Sequence, residues 1–452
     1  MMKTYTRISF KCMALMLSGL LAVGVVQAQT DEERDNQKTK EAQAVSKKVY
    51  DRIQEAQALI DEEKDYNGAL RILNDLRRGD SLTEYEQQNV LNYIGFVHYN
   101  MDNIKQAMAT YEEMLRIPSI EPQIRKQTLY TLAQLSTMQE EYPKALRLME
   151  EWFALEENPG PAPFILYAQN LYQVERYADM VEPIETAMRI ARERDDEVKE
   201  DWYVLLNFAY FQQENFAKVR DIQKTLLMNW PKKRYWFSLA GAYTELGEDQ
   251  NLIAAYDAAH TQGLLERENE LVTMAQLYMQ AEVPYKAGKL LENEMESGRV
   301  SKNAKNYRLL SQAWSLAQED DKAIPALQEA ARRSDDGELY LRLGNSYLNV
   351  ANYSGCVDAV REGLEKGGIK SPDNAHITLG MCLYNQNKYQ QSKRAFREAS
   401  RTDRSRRIAR QWISVIESDI ERNEQIRLAE EAAERQAEQL ERRLARARAE
   451  RI

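Results

Sequence analysis

The chain has 452 residues, 61 Lys and Arg against 71 Asp and Glu for a formal net charge of −10, and only 18 Gly, 11 Pro, 3 Cys and 3 His. An acidic balance of this size repels nucleic acid and anionic lipid in bulk. Scarce Gly and Pro, with Leu, Ala, Glu, Gln and Arg dominant, is the composition of a helical chain in which strands are not expected.

At the N-terminus, Lys3, Arg7 and Lys11 precede an apolar run from Cys12 to Val26, and Val26-Gln27-Ala28 offers the small residues that a signal peptidase needs. Cleavage after Ala28 is expected, with export to the periplasm. The run falls short of the ~20 residues that span a bilayer. No later stretch has that length of continuous apolar sequence, so no integral membrane segment remains after cleavage. Losing three cations moves the formal charge to about −13. A polar segment follows over residues 29–45.

From residue 46 to 400 one pattern, large-x-x-apolar-small-x-x-aromatic, recurs near the ~34-residue tetratricopeptide period. Clear copies are Trp236-x-x-Leu239-Ala240-x-x-Tyr243 and Tyr340-x-x-Leu343-Gly344-x-x-Tyr347. Twelve residues beyond each small position a second signature begins, as in Ala107-x-x-x-Tyr111-x-x-Met114 and Ser392-x-x-x-Phe396-x-x-Ala399. Each pair of signatures reads as a helical hairpin whose second helix crosses the first at the small residue. Small positions at Gln57, Gly95, Ala133, Ala168, Asn207, Ala240, Ala275, Ser311, Gly344 and Gly380 predict ten hairpins. The fold expected is all-α, one right-handed superhelical solenoid of tetratricopeptide (TPR) type. The longer early spacings predict longer loops between helices.

Residues 401–420 carry Ile408, Trp412, Val415 and Ile416 on one stripe, a capping helix for the last repeat. Residues 421–452 hold eight Glu, eight Arg and a thin seam of Ala433, Ala437, Leu440, Leu444 and Ala447 at heptad spacing. They predict an extended, charged, coiled-coil-like helix that docks on a partner, the protein alone being a monomer. Cys356 and Cys382 sit in predicted helices of neighbouring repeats and read as buried thiols in preference to a bridge, because disulfide geometry is narrow.

His98, His260 and His376 fall in different hairpins without paired ligand spacing, and there is no phosphate-cradling loop, nucleophile elbow or dinucleotide fingerprint. The expectation is no enzyme, no metal and no cofactor. What remains is a surface. In stacked hairpins the first helices line the concave face, which places the residues one, four and five beyond each small position, and three before it, in a groove. They include Asn92, Phe96, Tyr99, Asn100, Tyr130, Gln134, Gln169, Tyr172, Gln173, Phe208, Phe211, Gln212, Phe237, Gln276, Met279, Gln280, Arg308, Gln312, Asn345, Asn349, Met381, Tyr384 and Asn385. Amides offer donor and acceptor to an extended backbone, and aromatic faces take up apolar or proline side chains. The partner expected is a protein or extended peptide of neutral character. Arg401, Arg404, Arg406, Arg407 and Arg410 form a weaker candidate for anion binding, with ordinary solvated charge as the competing reading.

At Trp230-Pro231-Lys232-Lys233-Arg234-Tyr235-Trp236, Val283-Pro284-Tyr285-Lys286-Ala287, Lys302-Asn303-Ala304-Lys305-Asn306 and Ser334-Asp335-Asp336-Gly337-Glu338-Leu339-Tyr340, the chain resembles a family. It is similar to the periplasmic tetratricopeptide proteins of marine and related gammaproteobacteria described as components of the TonB system. The resemblance implies a scaffold in TonB-dependent outer-membrane uptake, with TonB or its proton-driven inner-membrane partners as the bound protein. It carries no catalytic residues. The alternative is an envelope-assembly or chaperone-like protein that binds outer-membrane polypeptides.

Overall fold

The computed structural model describes residues 45–79 and 82–449. The expected signal peptide and nearly all of the polar segment after it lie outside the described residues. Every regular element among the described residues is helical, and the chain divides into two compact units, one ending at Pro159 and one beginning at Gly160.

The first unit holds three hairpins: α1 (Lys47–Ala58) with α2 (Tyr66–Arg77), α3 (Glu84–Asn100) with α4 (Ile104–Leu115), and α5 (Pro122–Met138) with α6 (Tyr142–Phe153). The second holds seven: α7 (Pro161–Gln173) with α8 (Val181–Glu193), α9 (Glu200–Gln212) with α10 (Phe216–Asn229), α11 (Lys233–Leu246) with α12 (Asp249–Thr261), and α13 (Glu268–Gln280) with α14 (Pro284–Glu296). Then come α15 (Ala304–Leu316) with α16 (Asp320–Arg332), α17 (Gly337–Asn349) with α18 (Tyr353–Lys366), α19 (Pro372–Asn385) with α20 (Tyr389–Ala399), and finally α21 (Asp403–Ala449). Within each unit every helix packs mainly on the one before and the one after it, the nearest-neighbour pattern of a helical-hairpin solenoid.

The small positions behave as their spacing requires. A Cβ added to Gly95 would stand 2.6 Å from the Tyr111 ring, one on Gly344 would stand 2.4 Å from Val360, and one on Gly380 would stand 2.7 Å from the Phe396 ring. In each case the obstacle lies sixteen residues on, at the same point of the second helix. Hairpin five departs from the pattern, with Asn207 at the small position and Gln223 facing that crossing. The Oδ1 of Asn207 and the Oε1 of Gln223 are both buried without a hydrogen-bond partner. Gly288, in a second helix, makes way for the next repeat: its missing Cβ would lie 2.7 Å from the ring of Trp314, a fully buried side chain.

The turn inside each hairpin is also fixed in register. The residue seven past every small position has a left-handed backbone: Lys64, Asp102, Glu140, Glu175, Glu214, Gly247, Glu282, Gln318, Ala351 and Asn387. The next amide then reaches back five residues, as from Asn103 to His98 O, Glu141 to Ser136 O and Glu319 to Trp314 O, closing a Schellman-type cap. The first hairpin widens this by one residue, with Asp65 N bonding Leu59 O after a π turn over Leu59–Glu63.

Two expectations change here. The long early spacings are absorbed by helix rather than by loops alone: α3 and α5 each have 17 residues where most of the later first helices have 13, one extra turn at the N-terminal end. Thr83 and Glu86 close that end of α3 in a capping box, and Glu86 also accepts from Ser46 N at 2.8 Å. The boundary expected between 420 and 421 is not an element boundary, because α21 runs unbroken from Asp403 to Ala449. Nothing breaks it: no Gly or Pro occurs there, and Ala, Glu, Arg and Gln favour helix throughout.

Cys356 and Cys382 form a disulfide, with their Cα atoms 6.2 Å apart. The expected pair of thiols is thereby corrected. Stacking of α18 on α19 brings the two side chains within bridging range, which repeat spacing alone could not show.

Candidate interaction surface

The residues that fasten one repeat to the next must be separated from those left free. The position seven before the small residue supplies many fasteners. Glu200 accepts from Lys232 Nζ at 2.5 Å, from Arg234 at 2.6 Å and from the Tyr235 hydroxyl. Lys233 reaches Glu270 at 2.9 Å, Glu268 accepts from Ser301 Oγ and Asn306 Nδ2 at 2.6 Å each, and Asp373 accepts from Ser405. In the first unit Gln88 accepts from Glu121 N at 3.2 Å, and Lys126 pairs with Glu156 at 2.9 Å. Of the residues that carry the family resemblance, Lys232, Lys233, Arg234, Tyr235 and Asn306 are thus occupied in holding neighbouring repeats together.

Burial opposes the charge on Glu200, but the hydrogen bonds from Lys232, Tyr235 and Arg234 outweigh it and hold the carboxyl below its ordinary range. The same balance of burial against hydrogen bonds lowers Glu270, and hydrogen bonds from Ser301 and Asn306 lower Glu268. His98 and His376 are pushed down by burial, each with an Nδ1 that has no partner.

None of the expected groove residues is buried; all are exposed or half-buried. The aromatic ones are mostly committed to packing. Phe96 lies against the core of the first hairpin and Tyr99 against that of the second, and the Tyr130 ring lies tilted against Trp152 with centroids 5.0 Å apart. In the second unit Tyr172 and Phe208 meet edge to face at 5.0 Å, both against Tyr177, and Phe237 packs on Tyr256. Phe211, 37% exposed, keeps a free face beside Phe216. Tyr384 is covered: its hydroxyl donates to Asp419 at 2.6 Å and its ring packs on Trp412, so α21 closes this place, which the sequence had left open.

The amides divide in the same way. Asn100 and Asn385 bond back to their own helices, at Phe96 O and Met381 O, and Asn345 accepts from Thr378 at 2.9 Å. Asn92, Gln134 and Gln169 are half-buried, whereas Gln173 and Gln212 are exposed at the ends of α7 and α9. Over the consecutive first helices α13, α15 and α17, Gln276, Gln280, Arg308, Gln312, Asn345 and Asn349 are exposed; Gln276, Gln312 and Asn345 share one repeat position, and Gln280 and Asn349 another. Sequence reasoning passed over Leu316, 56% exposed, which occupies the position five beyond the small residue in α15, and Met138, 45% exposed, which holds the same repeat position on α5 of the first unit. Their signal was the register itself.

Of the basic cluster, Arg406 pairs with Asp403, Arg401 with Glu398 at 2.6 Å, and Arg404 touches Ser371 at 3.4 Å, while Arg407 is exposed on the outer side of α21. Partners this close favour ordinary solvated charge. A shallow depression of about 530 Å³ lies on α8, where Glu185 is taken by the Tyr210 hydroxyl at 2.7 Å. Among the described residues no group of three His, Cys, Asp or Glu could hold a metal, and no helix is long and apolar enough to cross a membrane.

The fold is that of a helical-hairpin repeat protein with tetratricopeptide-like hairpins. No protein-family profile matches the chain, and no curated protein does. Among solved structures it is similar to a tetratricopeptide repeat protein from Parabacteroides merdae ATCC 43184, at 15% identity and a TM-score of 0.34 over 67% of this chain and 100% of that one. It is also similar to the TPR2AB domain of yeast Sti1 in complex with pHSP90, at 14% identity and a TM-score of 0.32 over 61% of this chain and 98% of that one. A third is YrrB, a TPR protein with an unusual peptide-binding site, at 15% identity and a TM-score of 0.33 over 41% of this chain and 94% of that one.

Proposed function

We propose that this protein is a non-enzymatic periplasmic scaffold that binds an extended, uncharged segment of another protein along the first helices of its second unit. One observation carries the reading. Gln276 and Gln312 share one repeat position and Gln280 and Asn349 another, on three successive repeats, all exposed and with no hydrogen-bond partner among the described residues. A ladder of free amides pairs with a peptide backbone whatever its sequence, and Leu316 among them offers an apolar seat. A charged peptide terminus would need convergent cations, and only Arg308 is present in this row.

The location rests on the charge, apolar and small-residue order of residues 1–28, and the pathway on the TonB-system resemblance. The bound segment is then a proline-rich, extended periplasmic stretch of a TonB-like protein or of its proton-driven partners. The test uses the full chain and a synthetic proline-rich peptide in fluorescence anisotropy. Changing Gln276, Gln280, Gln312 and Asn349 to Ala should weaken binding at least about tenfold with thermal stability unchanged, because amide hydrogen bonds are lost only in the complex. Unchanged affinity would remove this row from the site. Phe211→Ala should weaken binding while costing under about 1 kcal/mol of stability, whereas Tyr172→Ala should cost about 2 kcal/mol or more, because its ring is packed.

A further inference from the structure

The last helix carries one face that is covered at its start and uncovered afterwards. Ser405, Ala409, Ile416 and Asp419 are all buried against the final hairpin, and between them Trp412 stacks on Phe396 with ring planes 3° apart. These positions step by four and three residues in alternation. The same stepping continues without a break through Asn423, Ile426, Glu430, Ala433, Ala437, Leu440 and Leu444, and here the apolar side chains lie in solvent. Ile426 is 49% exposed, Leu440 58% and Leu444 52%. The established interface thus runs on, in register, along about 30 Å of helix on which nothing packs among the described residues.

We propose that this continuation is a docking face for one amphipathic helix of a different protein, paired as a two-stranded coiled coil. One feature argues against a second copy of this chain in parallel, and another against a second copy in either orientation. The flanking positions are Arg422, Ala429, Gln436 and Arg443 on one side and Arg427, Glu434 and Glu441 on the other. Two copies in parallel would set Arg422 against Arg427 and would form no opposite-charge pair along these described positions. Two copies would also leave Ala433 and Ala437 as thin layers that bury little surface. A partner helix with Leu or Ile opposite those alanines fills the gap, and acidic residues opposite Arg422, Arg427 and Arg443, with Lys opposite Glu434 and Glu441, complete the pairing.

The test uses the full chain. Sedimentation should show a monomer. A concentration-dependent dimer that is lost on ending the chain at Ile420 would overturn the proposal and assign the face to a second copy. A synthetic four-heptad helix with Leu at its core positions and the complementary charges should bind. Its affinity should fall at least tenfold in Leu440→Glu with Leu444→Glu, and a peptide with Glu and Lys interchanged should bind at least tenfold more weakly. Binding indifferent to both changes would overturn the proposal. The fourfold amide variant should leave this binding intact, so failure here and failure of the groove reading remain distinguishable.

Discussion

The hydroxyl of Ser392 donates a 2.7 Å hydrogen bond to the carbonyl of Gly380, twelve residues earlier, at the point where α20 crosses α19. Alanine stands at this place in five of the ten repeats, and the serine adds a buried bond at a crossing already tight enough to exclude a Cβ on Gly380. Ser392→Ala should cost about 1 kcal/mol, the usual net worth of one such bond. Gly380→Ala should cost more, about 1–3 kcal/mol, because the new methyl meets the Phe396 ring. Urea unfolding of both variants checks the order; equal midpoints would refute the crossing argument.

Nine of the ten hairpin turns place a residue with a Cβ in the left-handed region, and only Gly247 relieves it. Glu140→Gly, Glu175→Gly, Glu214→Gly and Glu282→Gly should each raise stability by about 0.5–1 kcal/mol, the relief of left-handed strain less the added freedom of the unfolded glycine. Gly247→Ala should lower it. Denaturation midpoints moving the other way would show that the glutamates make compensating contacts at the turns.

Acid should destabilise the protein in two stages. His98 and His376 are depressed below 6.5, so the unfolded chain binds more protons; their contribution is complete above that pH and is lost as pH falls through the folded values. Glu200, Glu268 and Glu270 are depressed below 4.5, and their contribution is complete above that pH and lost beneath it. Thermal melts from pH 8 to 3 should therefore decline first below about 6.5 and more steeply below about 4.5. His98→Gln with His376→Gln should flatten the first stage alone, and Glu200→Gln part of the second.

The disulfide closes a loop of 26 residues between α18 and α19. Constraint of the unfolded chain by a loop of this size is worth about 3 kcal/mol. Reductant should lower the melting temperature of the natural chain and leave Cys356→Ala with Cys382→Ala unaffected. Equal melts with and without reductant would show that the bridge does not contribute.

The hairpin count, the crossing points and the helical class were legible in the sequence because each repeat states its own packing rule: a residue too large at Gly95, Gly344 or Gly380 would strike the second helix sixteen positions on. The extra turns of α3 and α5 were legible only as excess spacing, since length between crossings does not say whether helix or loop absorbs it. The amides of the candidate surface followed from register too. Tertiary structure decided which of those positions stay free. Phe96, Tyr130 and Tyr172 were drawn into packing by neighbours remote in sequence, Tyr384 was covered by Asp419 and Trp412, and Cys356 met Cys382. Periodicity fixes which side of its own helix a residue occupies; which neighbour arrives to cover that side depends on how hairpins stack, and only the folded chain contains that.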